Sequence, residues 1–277
     1  MPAPFKNRQY RIGDFAKYLG VTPDFLKHYE DNGLVHASRQ NGGYRFFVFQ
    51  QSARILEFMR LRNCGVHIKD IRSMLSAASE KESIAMLDQR FEEVRKNIEF
   101  ETAILAEHEQ FKKWHAKRLE KPVDWEIGEV EPHYFLPHTN HQDFIDDERI
   151  YELLKAWSAW MPIVKSGMLL EPSAGSGAPV YRLGLIVRES DAERHQLPLN
   201  SIVRRLPARK AFIYHFVEER RHERPGALVD RTHPLYAQMN KLGLEPADTL
   251  YSIIEMKSFG DESRDGRIFG RFIVPIE

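Results

Sequence analysis

The sequence predicts an α+β protein made of three consecutive parts, and three observations support this prediction. Short amphipathic helices with glycine stops precede an aromatic hairpin, a long stretch without Pro or Gly follows, and the remaining half repeats a strand–helix–strand–strand order. We therefore expect a winged helix-turn-helix over residues 1–78, a long dimerisation helix over 79–120 and a pseudo-twofold α+β domain with antiparallel sheets over 121–277.

The N-terminal part begins with two short helices. Gly20 ends the first helix, and Thr22 followed by Pro23 has the pattern of an N-cap and first helical residue for the second. Asn32-Gly33 stops the second helix. Two short helices joined by a tight glycine turn are typical of a helix-turn-helix. The apolar residues of the first helix recur at helical spacing at Ile12, Phe15, Ala16 and Leu19.

A hairpin is predicted next, which makes the helix-turn-helix a winged one. The polar turn Arg39–Gly43 separates the apolar pair Leu34-Val35 from the aromatic run Tyr44–Phe49. Two more helices are expected after it. One runs from Ser52 to Arg62, and the other is marked by Ile68, Ile71 and Leu75.

The stretch from residue 79 to 119 carries a heptad pattern. About forty helical residues span about 60 Å, which is too long for the stripe to be hidden on a small domain. We therefore expect it to pair with a second copy of the chain as a coiled coil, and Lys121-Pro122 to end it. The alternative is packing on the C-terminal domain of its own chain. The apolar positions are Ile84, Leu87, Phe91, Val94, Ile98, Leu105 and Leu119.

The C-terminal half repeats one order of elements. Its first unit is predicted as strand Trp125–Phe135, helix Asp147–Trp160 and strands Val164–Leu170 and Val180–Val187. The crevice between two such halves is the expected place for a small ligand. The second unit is predicted as strand Lys210–Val217, helix Leu228–Leu242 and strands Leu250–Met256 and Ile268–Ile276.

Charge and composition restrict the function. The net charge is zero, yet residues 1–80 hold 12 Lys/Arg against 7 Asp/Glu, and such a local basic excess favours phosphate contact. A single cysteine, Cys64, argues against a disulfide or a zinc site, and we expect no metal and no cofactor. Without a nucleophile motif or a dinucleotide fingerprint, an enzyme is not expected. Without a membrane-length apolar run or a secretory signal, we expect a cytoplasmic protein with no membrane partner.

A set of short motifs marks the first 76 residues. They are Tyr10-x-Ile12-Gly13, Gly20-Val21-Thr22, Leu26–Glu30, Gly33-Leu34, Asn41–Arg45 and Leu61-Arg62-x-x-Gly65. With these motifs the first 76 residues resemble the MerR family of regulators. This resemblance implies a homodimer joined through an antiparallel coiled coil at 79–120, binding to double-stranded promoter DNA that it distorts, and RNA polymerase as a partner.

The C-terminal half repeats its layout and contains the stretch Arg205–Ala211. In these features it is similar to the GyrI-like effector-binding domains of multidrug-sensing members, which implies a small-molecule effector.

The resemblance also implies which residues contact DNA. The family usually has Arg-Tyr-Tyr where Lys27-His28-Tyr29 stand here, and a lysine keeps phosphate contact but loses bidentate base reading. Tyr29 and Tyr44 have the alternative role of core aromatics, and the cations that of solvated surface charges. The expected DNA-binding residues are Thr22, Lys27, His28, Tyr29, Arg39, Tyr44, Arg45, Arg62 and His67.

The ligand site is expected to be aromatic. Multidrug-sensing relatives use a buried Glu at the position that matches Ser252, whereas Glu255 lies on the opposite face of the same strand unless a bulge shifts the register. We expect an apolar or cationic ligand, since aromatic faces and a buried carboxylate attract cations. A constitutive DNA-binding protein with a structural or partner-recruiting C-terminal domain, or a ligand-hydrolysing domain, are the alternatives. The expected ligand-binding residues are Trp157, Trp160, Tyr181, Tyr214, Tyr251, Ser252 and Glu255.

Overall fold

The computed structural model describes residues 8–40, 42–76, 79–121, 123–173, 179–219, 225–246, 249–258 and 266–276. The chain divides into two compact units, Met1–Glu101 and Thr102–Glu277. The three-part division at residues 78/79 and 120/121 stays a prediction.

The N-terminal unit contains the expected winged helix-turn-helix. Its three short strands form an antiparallel sheet in the order β1-β3-β2. Strand β1 was not expected, because three residues are too few to show an alternating pattern. In chain order the elements are β1 (Gln9–Arg11), α1 (Ile12–Leu19), α2 (Pro23–Asp31), β2 (Ser38–Arg39), β3 (Arg45–Val48), α3 (Gln51–Asn63), α4 (Ile68–Ser76) and α5 (Glu80–Glu120).

Local sequence explains these boundaries. Gly20 ends α1 in the left-handed conformation at φ 68°, and the Thr22 hydroxyl oxygen accepts a hydrogen bond from the Phe25 N–H at 3.1 Å. The expectation of strand structure at Leu34-Val35 is wrong, because both residues pack into the core of the unit and the strand begins at Ser38. Within the predicted turn, Asn41 lies outside the described residues.

The C-terminal unit is built on one eight-stranded antiparallel sheet. The strand order is β10-β5-β9-β8-β12-β13-β11-β4. A separate two-stranded sheet joins β6 to β7. The strands of both sheets are β4 (Asp124–Val130), β5 (His133–Pro137), β6 (Thr139–Asn140), β7 (Asp143–Phe144), β8 (Lys165–Glu171), β9 (Val180–Arg188), β10 (Arg204–Leu206), β11 (Arg209–Glu219), β12 (Leu250–Lys257) and β13 (Arg267–Pro275). The helices are α6 (Glu148–Ser158), α7 (Glu189–Arg194), α8 (Pro225–Val229) and α9 (Pro234–Lys241).

The sheet has the expected pseudo-twofold arrangement. Strands β5-β9-β8 of the first half correspond to β11-β13-β12 of the second, and the halves meet where β8 pairs with β12. The outermost strands are exchanged, since β4 pairs with β11 of the second half and β10 pairs with β5 of the first. The repeated order therefore forms a single continuous sheet.

Two sequence expectations are corrected in this unit. The single strand expected over Trp125–Phe135 is two strands, β4 and β5, which lie towards opposite ends of the sheet because Glu131-Pro132 interrupts the run. The single helix expected over Leu228–Leu242 is two short helices, α8 and α9, because Pro234 starts a new helix. Helix α7 and strand β10 were not expected.

Helix α5 confirms the expected long helix and ends at Glu120; Pro122 lies outside the described residues. Across the described part of the chain, no helix is both long and apolar enough to span a bilayer.

Candidate functional site

Helix α2 presents polar side chains at the surface of the N-terminal unit. Thr22, Lys27 and His28 are exposed. The Lys27 ammonium lies 2.8 Å from the Asp24 carboxylate, one turn closer to the N-terminus. An exposed pair of this kind is weak in water, so Lys27 can exchange Asp24 for a phosphate at little cost.

Tyr29, which was expected to contact DNA, lies in the core. Its side chain is fully buried, and its ring stacks on Phe25 and Phe58 with centroid separations of 4.2 and 5.7 Å. The structure therefore gives Tyr29 the alternative role of a core aromatic. It packs on the buried side of α2 and presents no atom at the surface.

The wing carries Arg39 and Tyr44 at its surface. Tyr44 is 60% exposed, and the Arg11 guanidinium lies 5.2 Å from the centroid of its ring. Arg45 instead pairs with Glu30 of α2 at 2.5 Å and is only partly exposed, so it joins the wing to α2. Arg11 is a residue that the sequence analysis missed. It immediately precedes α1, and only the fold brings it to the wing.

The last two expected DNA contacts lie around the turn between α3 and α4. Arg62 is exposed, and its guanidinium lies 5.9 Å from the Phe25 ring centroid. His67 is exposed just before α4. Arg62 therefore lies close to α2 through its contact with Phe25, although it is distant from α2 along the chain.

Two opposite faces of α5 differ in chemistry. We call the heptad residues Ile84, Leu87, Phe91, Val94, Ile98, Leu105 and Leu119 the apolar stripe. Within it, Ile98, Leu105 and Leu119 are at least 60% exposed. We call Glu107, Phe111, Trp114 and Arg118 the docking face. Residues 105 and 107 are about 200° apart around a helix, so the stripe and the docking face point in opposite directions.

The docking face packs on the C-terminal sheet through polar contacts. Trp114 Nε1 donates to His215 Nδ1 at 3.0 Å, and the Arg118 guanidinium donates to the Asp124 carboxylate at 2.8 Å. The neighbouring Lys121 and Arg118 hold the pKa of Asp124 well below its usual value. Burial lowers the pKa of His215, which keeps its ring neutral. Nδ1 of the neutral ring can therefore accept the hydrogen bond from Trp114.

One side of the sheet carries a cavity of about 420 Å³. Ser252 and Tyr181, two of the expected ligand-binding residues, line it. The Ser252 hydroxyl accepts the Met168 N–H at 3.1 Å, which ties β12 to β8 at the cavity wall. Apolar side chains make up much of the wall: Met168, Leu183, Phe216, Leu228, Ile254, Ile268 and Phe272.

The other expected aromatic residues do not line this cavity. Trp157 is fully buried and donates from Nε1 to the Pro198 carbonyl oxygen at 2.9 Å, while the Trp160 ring stacks on His195. Tyr214 is part of the core, and Tyr251 lies in a different core cluster beside His133. Trp157, Tyr214 and Tyr251 are therefore core residues, and none of the four is a wall of the large cavity.

Glu255 lies on the opposite side of the sheet from Ser252. A β-bulge is present between Ile254 and Met256, yet Glu255 lines a second, smaller cavity of about 120 Å³. There its carboxylate pairs with Lys165 and, at 3.1 Å, with Arg271. Glu255 is thus not a wall of the large cavity.

Three basic side chains line the large cavity and were missed by the sequence analysis. They are His138, His233 and Lys257. Burial lowers the pKa of His138, so its ring is neutral near pH 7. The alternating pattern of β12 does not predict that Lys257 faces the cavity, because the bulge just before it shifts the alternation.

Comparison with known proteins relates the chain to regulators. A family model described as MerR HTH family regulatory protein matches residues 10–78. The HTH-type transcriptional regulator ZntR of Escherichia coli strain K12 is 31% identical over 96 residues, which cover 32% of this chain and 68% of ZntR. The nodulation protein NolA of Bradyrhizobium elkanii is 35% identical over 75 residues, which cover 27% of this chain and 34% of NolA.

Among solved structures, the likeness extends over the whole chain but is low. EcmrR, in a cryo-EM structure of its DNA complex in EcmrR-RPo, gives a TM-score of 0.40 at 17% identity, covering 97% of this chain and 99% of that one. HiNmlR, a MerR family regulator lacking the sensor domain and bound to promoter DNA, gives 0.31 at 19% identity, covering 41% of this chain and 95% of that one.

Proposed function

This chain belongs to the MerR family of DNA-binding transcription regulators, and from that premise we propose that it is a homodimer whose action on promoter DNA is controlled by a small molecule. The matched relatives agree with the expectation of a regulator and not an enzyme. The observation that carries the proposal is one chain that combines an exposed α2 face with a separate unit holding a largely apolar cavity of about 420 Å³.

The DNA interface that we propose consists of α2, the wing and the turn before α4. Lys27 and His28 enter the major groove, Arg39 and Tyr44 lie on the adjacent backbone, and the remaining exposed residues grip phosphates further out. Family membership further supports a promoter that the dimer distorts and RNA polymerase as the partner. The remaining proposed contacts are Thr22, Arg62 and His67, with Arg45 holding the wing in place through Glu30.

The dimer that we propose uses the apolar stripe. Its members recur every seven residues at 84, 91, 98 and 105, and they are exposed in the single chain. Large apolar side chains repeated at this period along one face of a long helix are stabilised when a second helix covers them. A pair of chains also supplies two DNA-binding heads.

The ligand that we propose is a compact, mainly apolar molecule bound in the large cavity. Ser252 and Tyr181 offer the polar contacts that orient it, and the apolar wall supplies most of the burial. Glu255 is not among the ligand-binding residues that we propose, because it lies on the other side of the sheet. The described lining therefore favours an apolar ligand over one selected by that carboxylate.

DNA binding is tested on a duplex that the full-length protein selects from a random library. We expect Lys27→Ala to weaken binding by about tenfold and to reduce the salt slope by about one, because one phosphate contact is lost. Lys241→Ala on α9 is the matched control and should leave both values unchanged. An unchanged salt slope in Lys27→Ala would remove Lys27 from the interface.

Ligand binding is tested with two probes, the neutral dye Nile red and the cation tetraphenylphosphonium. We expect Nile red to bind the full-length protein and Ile254→Trp, which fills the cavity, to weaken its binding at least about tenfold. Leu199→Trp, at an exposed position, is the control. If neither probe binds, the constitutive alternative is favoured; if only tetraphenylphosphonium binds, the preference for an apolar ligand is wrong.

A further inference from the structure

A buried charge cluster connects α5 to two strands of the C-terminal sheet. The Glu107 carboxylate of α5 lies 2.5 Å from the Lys165 ammonium of β8 and 3.0 Å from the Arg188 guanidinium of β9. Lys165 also pairs with Glu255 of β12. One lysine thus joins a carboxylate of the helix to a carboxylate of the sheet.

Strands β8 and β12, which the Lys165–Glu255 pair joins, also form part of the large cavity on the other side of the sheet. On β8, Lys165 belongs to the charge cluster, and the next residues, Ser166 and Gly167, line the cavity. On β12, Ile254 lines the cavity and the adjacent Glu255 belongs to the cluster. A molecule in the cavity therefore contacts residues that are covalently adjacent to Lys165 and Glu255.

The bulge in β12 makes this strand the one best able to move. Ile254 pairs with Gly270 and Met256 with Phe269, which leaves Glu255 without a partner in that register. A bulged residue can shift without breaking the ladder on either side of it. The backbone displacement of Ile254 by a ligand is therefore expected to reach the Glu255 carboxylate first.

Burial ensures that this displacement is passed on and not absorbed by water. The side chains of Glu107 and Glu255 are 7% and 6% exposed, and that of Lys165 is 14% exposed. Lys165 pairs with both carboxylates, so a shift of Glu255 draws Lys165 with it and changes the geometry of its contact with Glu107, which Arg188 alone then holds in place. Since Glu107 is part of the continuous helix α5, its movement is a movement of the helix.

We propose that Lys165 is the positioning residue that couples occupancy of the large cavity to helix α5, through Glu255 on one side and Glu107 on the other. This inference rests on the proposed ligand site. It assigns a role to Glu255 that differs from ligand contact.

A second polar contact of the docking face offers a comparison. Trp114 bonds to His215 of β11, whose neighbour Phe216 also lines the large cavity. Here, however, β11 pairs in unbroken register with β13 on one side and with β4 on the other. Strand β12 also pairs on both sides, but its register is shifted at the bulge, so we expect β11 to move less and this contact to fix α5 without transmitting the ligand signal.

The experiment compares hydrogen exchange of full-length protein with and without saturating Nile red, in peptides covering residues 102–118. We expect the exchange rate of these amides to change by about fivefold in the wild type, a usual size for coupling between two sites. In Lys165→Met, Nile red should still bind with affinity within about twofold, and the change in exchange should disappear. Each carboxylate keeps an arginine partner in this variant, so the fold is retained.

Three variants serve as comparisons in the same measurement. Lys165→Arg keeps the charge between the two carboxylates and should keep the change in exchange. Trp114→Phe should also keep it, although it removes a docking contact. Glu107→Gln should lose it, and if Lys165→Met proves too unstable to measure, Glu107→Gln decides the question.

The outcomes separate this inference from the proposed ligand site. If Nile red fails to bind the wild type, both the proposed ligand site and the proposed coupling are refuted. Binding without any change in the exchange of 102–118 overturns the coupling alone. A change that persists in both Lys165→Met and Glu107→Gln overturns it as well.

Discussion

The two faces of α5 carry different kinds of interaction. Five of the seven residues of the apolar stripe are exposed and its pattern repeats every seven residues, whereas the docking face is covered by the C-terminal sheet and includes two buried charged residues, Glu107 and Arg118. Apolar contact at a regular period suits a second identical helix, because in an antiparallel pair each apolar position meets another apolar position of the same stripe. Buried charges suit a single fixed partner, because each must meet a specific counter-charge.

We infer that α5 separates assembly, on its stripe, from communication with the ligand site, on its docking face. A change of charge on the stripe should affect pairing of chains, and a change on the docking face should leave pairing unaltered. Variants on each face test this division.

The largest effect is expected for Ile98→Glu on the stripe. A carboxylate placed in an apolar seam, once from each chain, should raise the dimer dissociation constant at least about a hundredfold, since its burial without a partner is costly. Sedimentation equilibrium measures this constant. Lys96→Glu, on the other side of the helix, is the control, and equal dimer stability in both variants would refute the role of the stripe.

The next effect is a loss of folding stability in acid, caused by a buried histidine on the side of the sheet that faces α5. His133 lines the smaller cavity, and burial lowers its pKa to about 4. The unfolded chain takes up this proton near pH 6.5, so the folded state should lose about 3 kcal/mol between pH 6.5 and 4. Urea unfolding at several pH values checks this, and His133→Gln should flatten the dependence. An identical pH dependence in the variant would contradict the assignment.

A smaller effect is expected for Arg118→Met. The side chain of Arg118 is 2% exposed and pairs with Asp124, so its loss should lower the free energy of unfolding by about 2 kcal/mol. Lys117→Met is a matched control, because Lys117 is 62% exposed and lies 3.8 Å from the same carboxylate. Thermal unfolding of both variants gives the comparison, and an effect as large in Lys117→Met would mean that burial does not decide it.

The smallest effect is expected for Trp114→Phe. Only the hydrogen bond to His215 and part of the ring contact are lost, which should cost about 1 kcal/mol. Chemical unfolding measures the change, and sedimentation should show an unaltered dimer. A shift in the dimer constant would show that the two faces are not independent.

Features carried by local sequence were predictable. The stop at Gly20 and the cap at Thr22 each follow from a residue type with a strong local backbone preference. The length and heptad pattern of α5 also needed no tertiary information. Pairing of the stripe with a second copy of the chain stays a prediction.

Features that depend on distant pairing were not predictable. Glu107 resembles any other polar residue of a long helix, and its burial depends on Lys165 and Arg188, far along the chain. Glu255 lies opposite Ser252, as plain alternation predicts, but the bulge that brings Lys257 to the cavity side could not be predicted from the sequence. Trp125–Phe135 reads as one strand because strand order, which separates β4 from β5, leaves no mark on hydrophobic alternation.

The central claim is that two copies of this chain bind one DNA duplex. Native mass spectrometry of the full-length protein with its selected duplex measures the number of chains per complex directly. We expect two chains on one duplex, and we expect Ile98→Glu to lose that complex. A complex with one chain per duplex, or an intact two-chain complex in Ile98→Glu, would contradict it.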